Sequence, residues 1–177
     1  RLSSINQKLN LLNNLGVDFI VTKKFDKTFS KTKSINFIKN ILANKLKAKF
    51  IFVSNNFRFG NKREGDVKFL IQNEHRYNYQ VVKPKPFLVN KKIVSSSLIR
   101  NYLENGYLER ANKLLDRKWS IEGMVQKGRQ VGKKIGFPTC NIDIKDYVLA
   151  KPGVYAVRVL RKNTFKILKG IANLGYR

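Results

Sequence analysis

Phe50-Ile51-Phe52-Val53-Ser54-Asn55-Asn56-Phe57-Arg58-Phe59-Gly60 runs from four consecutive apolar residues straight into a polar loop that carries two aromatics. A strand apolar at every position belongs in a sheet covered on both faces. Upstream, Ser34 opens an amphipathic helix through Phe37, Ile38, Ile41, Leu42 and Leu46. Downstream, Asp66 caps another through Phe69, Leu70 and His75, ahead of a strand at Tyr79-Gln80-Val81-Val82. Near the start, Ile5, Leu9, Leu12 and Leu15 behind Ser3 or Ser4 mark a helix that Gly16 ends, followed by a short strand, Val17-Asp18-Phe19-Ile20-Val21. Helices alternating with apolar strands predict an α/β domain, a parallel sheet with helices on both faces.

After Pro84 and Pro86, the spacing predicts a short extended piece from Phe87 to Val94. Ser95-Ser96-Ser97 then opens a helix through Leu98, Ile99, Tyr102 and Leu103. Asn105-Gly106 breaks it, and Leu108 to Leu115 resumes as a helix. Beyond Asp116 the apolar spacing becomes alternating, at Trp119, Ile121, Gly123 and Val125 and later at Val154, Ala156, Val157 and Val159. The change sets a boundary near Arg117, with an α/β domain over 1–117 and an all-β domain over 118–177 built as an antiparallel barrel or sandwich.

A chain of 177 residues with 42% hydrophobic content has room for one large domain or two small ones and enough apolar mass for a core, which excludes a disordered chain. One cysteine, Cys140, excludes an internal disulfide. The opening residues hold no apolar run of the length of a signal peptide or membrane span, so the expected compartment is the reducing cytoplasm, with no membrane partner. The first residue is Arg1, and the expectation is a processed or partial product. A formal net charge of +26 would suit nucleic acid. The lysines are spread along every element beside frequent asparagine, isoleucine and phenylalanine, the residue usage of an AT-rich coding sequence. Compositional drift is the preferred reading, no nucleic-acid partner is expected, and a basic RNA-binding protein without chemistry is the alternative.

Three constellations carry the chemistry. Gly128, Gly132 and Gly136 are spaced four apart, with Lys133 and Lys134 between the last two. Such a run brings backbone amides and ammonium groups against a polyphosphate with no Cβ in the way. It leads into Phe137-Pro138-Thr139-Cys140-Asn141. There the Thr139 hydroxyl and Asn141 amide oxygen, two residues apart on extended backbone, would face one side and hold a hard cation such as Mg²⁺ against nucleotide phosphates. ATP chemistry is the expectation, with Cys140 pointing the other way as a small buried residue. The second constellation, Ser95 to Arg100, places three hydroxyls at a helix start and a guanidinium one turn later, a triphosphate clamp. Serines cap helices everywhere, so its position after the last strand of an α/β domain carries the reading. In the third, Asn55 to Gly60 with Arg63-Glu64-Gly65-Asp66, two aromatics flank an arginine in a loop after a strand end, where ligands bind in such sheets. The plain alternative is a surface loop whose phenylalanines anchor it to the core. His75 reads as a helix-surface residue, and the 11 acidic residues offer no acid and base pair.

Together these strings resemble the bacterial bifunctional riboflavin kinase/FMN adenylyltransferase family, also called FAD synthetase. Gly136-Phe137-Pro138-Thr139-Cys140-Asn141 is similar to the family's Gly-Phe-Pro-Thr-Ala-Asn kinase signature. Asn56-Phe57-Arg58-Phe59-Gly60 with Arg63, Gly65 and Asp66 is similar to its adenylyltransferase loop, and Ser95 to Arg100 to its Ser-Ser-Thr-x-Ile-Arg phosphate motif. Leu9 to Asp18, Phe25-Asp26, Phe29, Gly153 to Val157 and Gly170 to Gly175 extend the resemblance over the chain. It implies a Rossmann-like nucleotidyltransferase domain followed by an incomplete antiparallel riboflavin-kinase β-barrel. It implies phosphorylation of riboflavin to FMN and adenylylation of FMN to FAD, each with ATP and Mg²⁺. By the same resemblance, Ser96, Ser97 and Arg100 hold the adenylyl donor's triphosphate, and Asn56, Phe57, Arg58, Phe59 and Gly60 line the nucleotide and flavin cleft. Gly128, Gly132, Lys133, Gly136, Pro138, Thr139 and Asn141 bind the kinase ATP, with Thr139 and Asn141 on the metal. Ser54, Asn55 and Asn56 stand where the family often has glycine, an aromatic and aspartate; Ser97 replaces threonine and Cys140 alanine. The family's first strand with its His-x-Gly-His loop would precede Arg1, and its catalytic glutamate would follow Arg177. The resemblance therefore places the catalytic residues outside this chain and implies little activity for it alone. A nucleotidyltransferase with one activity and an accessory β domain is a further alternative.

Overall fold

The Ser4 hydroxyl accepts the Gln7 amide at 3.1 Å while the Gln7 side chain accepts the Ser4 amide at 2.9 Å. That reciprocal box starts α1 (Ile5–Asn14). Gly16, at φ +79°, closes it: its amide reaches the Asn13 carbonyl at 3.0 Å and the Val17 amide reaches Leu12 at 3.2 Å, the two bonds of a Schellman stop. The computed structural model describes residues 1–128, 136–161, 164 and 166–175. They divide into two compact units, Val21–Phe87 and Arg1–Ile20 with Leu88–Arg177.

In the Val21–Phe87 unit, α2 (Lys27–Ser30) is capped by Asp26, whose carboxylate accepts the Phe29 amide at 2.7 Å. The helix α3 (Ser34–Asn36) runs on into a π-helical stretch, Phe37–Lys45. Its wider winding keeps Ile38 fully buried and Leu42 against the core, but turns Leu46, expected on the same face, out to solvent. Strand β1 (Phe50–Phe52) is followed by β2 (Arg58–Phe59), β3 (Gly65–Asp66), α4 (Val67–Gln72), α5 (Glu74–Tyr77) and β4 (Gln80–Val82). β1 and β4 pair in parallel, with Ile51 opposite Val81, and β2 pairs antiparallel with β3. Ile38, Ile51, Phe59, Leu70 and Tyr79 form the core. The strand that was expected to be covered on both faces buries only Ile51, since Phe50 and Phe52 are exposed.

Tyr79 closes this core by donating to the Leu70 carbonyl at 2.7 Å. Burial, and after it the charge of Glu74 and the neighbouring Tyr77, push its phenol up to about 12. The folded chain thus keeps a proton that the unfolded chain releases near 10. Stability from this group is complete below about pH 10 and declines as the pH climbs from about 10 toward 12. Tyr79→Phe keeps the ring and deletes the ionisation, so it is expected to flatten that alkaline decline. Urea midpoints at about pH 8 and about pH 11 measure it, and equal declines in both proteins would refute it.

The second unit takes α1 together with a hairpin, β5 (Leu88–Val89) and β6 (Lys92–Ile93), turned by Asn90 and Lys91 at positive φ. Helices α6 (Ser96–Glu104) and α7 (Leu108–Leu115) follow. Between them Gly106, at φ +81°, repeats the stop of α1: its amide meets Leu103 at 3.0 Å and that of Tyr107 meets Tyr102 at 2.8 Å. The Tyr102 and Tyr107 rings pack edge to face over it at 6.3 Å. Ile99, Leu103, Ala111, Val148 and Ala150 form the core, with Trp119 against it. The rest is antiparallel: β7 (Val125–Gln126) with β8 (Asn141–Ile142), and β9 (Gly153–Leu160) with β10 (Ile167–Leu174) in register from Gly153 opposite Leu174 to Leu160 opposite Ile167.

The architecture is mixed α and β with two-stranded sheets, and the described residues form no closed barrel. Two local expectations are corrected. Val17 to Val21 is not a strand, because the Val17 amide is spent on the helix stop and Phe19 and Val21 stand exposed with no ladder partner among the described residues. Trp119 to Gly123 is not a strand either. The Trp119 amide and indole instead donate to Asn112 Oδ1 at 2.6 Å and the Leu2 carbonyl at 2.9 Å.

Candidate functional site

The loop after β1 is held from three directions. The Ser54 hydroxyl donates to Asn56 Oδ1 at 2.8 Å, the Asn61 amide donates to the Thr32 carbonyl at 2.8 Å, and Glu64 Oε1 accepts the Ser34 amide at 2.7 Å, filling one donor of the α3 start. Beside the pinned loop lies an open cavity of about 450 Å³ lined by Asn55, Asn56, Arg58, Arg63, Asp66, Val67 and Lys68. Asp66 divides its carboxylate: Oδ1 accepts the Phe69 amide at 2.8 Å and caps α4, while Oδ2 pairs with Arg58 at 3.3 Å. Arg63 and Lys68 make no ion pair among the described residues. Three cations around one engaged carboxylate give the cavity a positive surplus, with amide groups beside it for hydrogen bonding. Its chemistry suits an anionic ligand.

Of the five loop residues expected in a cleft, Asn56 and Arg58 line this cavity. Phe59 is 7% exposed in the core, Phe57 stacks on it at 5.5 Å between centroids, and Gly60 carries the turn. The phenylalanines anchor the loop, as the plainer reading of the sequence had it. Lys68 and Val67 were not marked from the sequence. The signal was available in Asp66, since a residue in the first turn of a helix lies at the same end as its cap.

At the start of α6 the cap is Ser95, whose hydroxyl accepts the Leu98 amide at 3.2 Å. Ser96 and Ser97 are exposed in the first turn and Arg100, three residues beyond Ser97 on the same face, is half-buried. These residues belong to the second compact unit and those of the cavity to the first.

In the β7–β8 pair, Val125 lies opposite Ile142 and Gln126 opposite Asn141. Gly128 follows β7, and a Cβ built there would run into the Asn141 amide nitrogen. A glycine at 128 is what lets that carboxamide lie where it does. Thr139 and Pro138 are exposed, Asn141 is half-buried, and Gly136 sits at φ +84°. Gly132 and Lys133 lie outside the described residues. Cys140 is exposed, against the expectation of burial, because β8 has only β7 beside it among the described residues and no second layer covers residue 140. Asp143 is spent on its own turn: the Lys145 amide donates to it at 3.0 Å and holds its carboxyl below the usual range, with the Lys145 ammonium at 3.3 Å. No group of three or more His, Cys, Asp or Glu side chains is placed to hold a metal among the described residues.

Two family models match this chain, FAD synthetase over residues 1–98 and riboflavin kinase over residues 115–177. Bifunctional riboflavin kinase/FMN adenylyltransferases are similar along its whole length: that of Buchnera aphidicola subsp. Schizaphis graminum is 38% identical, with 100% of this chain and 57% of the relative covered. Those of Escherichia coli K12 and Haemophilus influenzae are each 36% identical, covered to 56% and 57%. The chain thus spans a little over half the length of these relatives. A crystal structure of a macrolide-efflux protein from Streptococcus pneumoniae superposes with a TM-score of 0.77 at 25% identity, over 98% of this chain and 55% of that one. Among the described residues no helix is long and apolar enough to cross a membrane. With one model matched over its first 98 residues and the other over its last 63, the chain belongs to the family of bifunctional riboflavin kinase/FMN adenylyltransferases.

Proposed function

We propose that the protein makes flavin cofactors in the cytoplasm, phosphorylating riboflavin to FMN and adenylylating FMN to FAD with ATP as the donor in both reactions. The functional division falls near Arg117. Residues 1–117 serve the adenylyl transfer on a Rossmann-like plan, for which the parallel β1–β4 pair is the support. Residues 118–177 serve the kinase reaction as part of an antiparallel barrel, supported by the β7–β8 and β9–β10 pairs. In the first region Ser96, Ser97 and Arg100 hold the donor's triphosphate, while Asn56 and Arg58 line the nucleotide and flavin cleft and Phe57, Phe59 and Gly60 shape it by holding its loop. In the second, Gly128, Gly132, Lys133, Gly136 and Pro138 follow the phosphates while Thr139 and Asn141 hold Mg²⁺. No nucleic-acid or membrane partner belongs to this reading.

The donor set fits that metal. A hydroxyl and a carboxamide are hard neutral oxygens, and without a carboxylate cage among the described residues an ion there takes its remaining ligands from phosphate and water, as Mg²⁺ commonly does. Bound Mg²⁺ would neutralise phosphate charge and order the donor. This chain's own part is positioning: the hairpin fixes the two oxygens, glycines admit the phosphates, and ammonium groups offset their charge.

The observation that carries the kinase assignment is the space at Gly128 that the Asn141 carboxamide fills. The test is Thr139→Ala in the protein as the cell makes it, followed by chromatography of flavins with ATP and Mg²⁺. FMN formation is expected to fall by about 10²-fold while added FMN is still converted to FAD. Unchanged FMN formation would leave only the adenylyl site and overturn the kinase assignment.

A further inference from the structure

Both legs of the β7–β8 hairpin are tied at their base by one amide from α1, a helix of the region matched by the FAD synthetase model. Gln7 is 6% exposed and every hydrogen-bonding position of its side chain is filled. Its Oε1 accepts the Ser4 amide at 2.9 Å and the Tyr147 hydroxyl at 2.9 Å, and its Nε2 donates to the carbonyl and the hydroxyl of Ser120, both at 3.1 Å. The Tyr147 oxygen also accepts the Glu122 amide at 3.0 Å. Glu122 stands three residues before β7 and Tyr147 five residues after β8, so one phenol bridges the two legs and one amide anchors that phenol to α1. A second, backbone tie lies beside it, with the Arg1 carbonyl accepting the Val148 amide at 2.7 Å. Gly123, on the first leg, has no Cβ because Ile142 of β8 fills that position.

We propose that Gln7 and Tyr147 form a clamp through which α1 positions the β7–β8 hairpin, and with it Thr139 and Asn141, for nucleotide binding. The clamp makes Gln7, in the region matched to FAD synthesis, a positioning residue for riboflavin phosphorylation. Gln7 and Tyr147 are both buried and the bond between them is internal, so deleting one leaves a polar atom of the other unpaired in the interior, and the legs of the hairpin are released together. The consequence for kinase chemistry rests on the function proposed above; the clamp itself does not.

The test uses Gln7→Met, which keeps length and burial, and Tyr147→Phe, which removes one oxygen. Ser4→Ala serves as a comparison that weakens the same helix through its cap alone. In hydrogen exchange, both clamp variants are expected to speed exchange of the Val125, Gln126, Asn141 and Ile142 amides by about tenfold or more while those of α6 stay protected, and Ser4→Ala leaves the hairpin amides unchanged. In flavin assays the clamp variants are expected to raise the KM for ATP in riboflavin phosphorylation by about tenfold with FMN adenylylation within about twofold, and the double variant to be no worse than the stronger single. Unchanged hairpin exchange, or exchange faster in Ser4→Ala to the same degree, overturns the clamp. Faster hairpin exchange with an unchanged KM overturns its positioning role. If the unsubstituted protein as the cell makes it forms no FMN, the kinase reading fails, and the exchange data still decide the clamp.

Discussion

Gly128→Ala is expected to cut riboflavin phosphorylation by about 100-fold while leaving FMN adenylylation and the melting temperature close to those of the unsubstituted protein. A methyl at 128 occupies the place of the Asn141 amide nitrogen and comes within 3.3 Å of its Cγ. What it meets is the tip of a side chain, which swings aside at little cost to the fold. The loss therefore falls on the carboxamide's position and not on stability, and misplacing an orienting group by about 1 Å is enough for a loss of this size. Flavin chromatography beside a thermal melt measures the two effects. A variant that forms FMN at the full rate would show that the Asn141 carboxamide has no part in the reaction.

Gly60→Ala is expected to act the other way, on the fold first. Gly60 sits at φ 78°, ψ 177°, a region open essentially to glycine alone. Its missing Cβ faces backbone: the Ser34 nitrogen at 2.8 Å and Cα at 2.9 Å. Neither atom swings aside, because the Ser34 amide is fixed to Glu64 at 2.7 Å and the next amide of the loop, Asn61, to Thr32 at 2.8 Å. Backbone strain and overlap together are expected to cost about 3 kcal/mol or more, a drop of roughly 10 °C in melting temperature. The cavity wall moves with the loop, so FMN adenylylation should weaken in the surviving folded protein. A melting temperature lowered by less than roughly 3 °C would mean that the loop gives way freely.

Short-range chemistry was legible in the sequence. Gly16 and Gly106 were expected to end helices and do so with the same pair of hydrogen bonds; the Ser95 to Ser97 run was expected to open a helix and Asp66 to cap one, and both do. Each of these depends on residues within six positions of one another. The failures lie where the partner is distant. Val17 to Val21 has strand composition, but a strand exists only beside another, and composition does not supply one. Phe57 and Phe59 flank an arginine as pocket walls would, yet Phe37 at 5.4 Å and Phe69 at 6.4 Å draw Phe59 into the core. The Gln7 to Tyr147 bond spans 140 positions, and no local pattern announces it. For the site, the motif strings located the loop and the hairpin, while Lys68 entered the cavity only through the fold. Winding was illegible too: the apolar spacing from Phe37 to Leu46 suits an ordinary helix, and the chain took the broader one.

The split loyalty of the Asp66 carboxylate has its own consequence for ligand entry. An arriving anion that draws Arg58 to itself competes for one oxygen only, and the other stays with the Phe69 amide. Recruiting the guanidinium therefore does not unravel α4. The helix end serves as a fixed post and the arginine as a movable arm, so the protein can exchange an internal counterion for a bound one without loosening the scaffold that presents it.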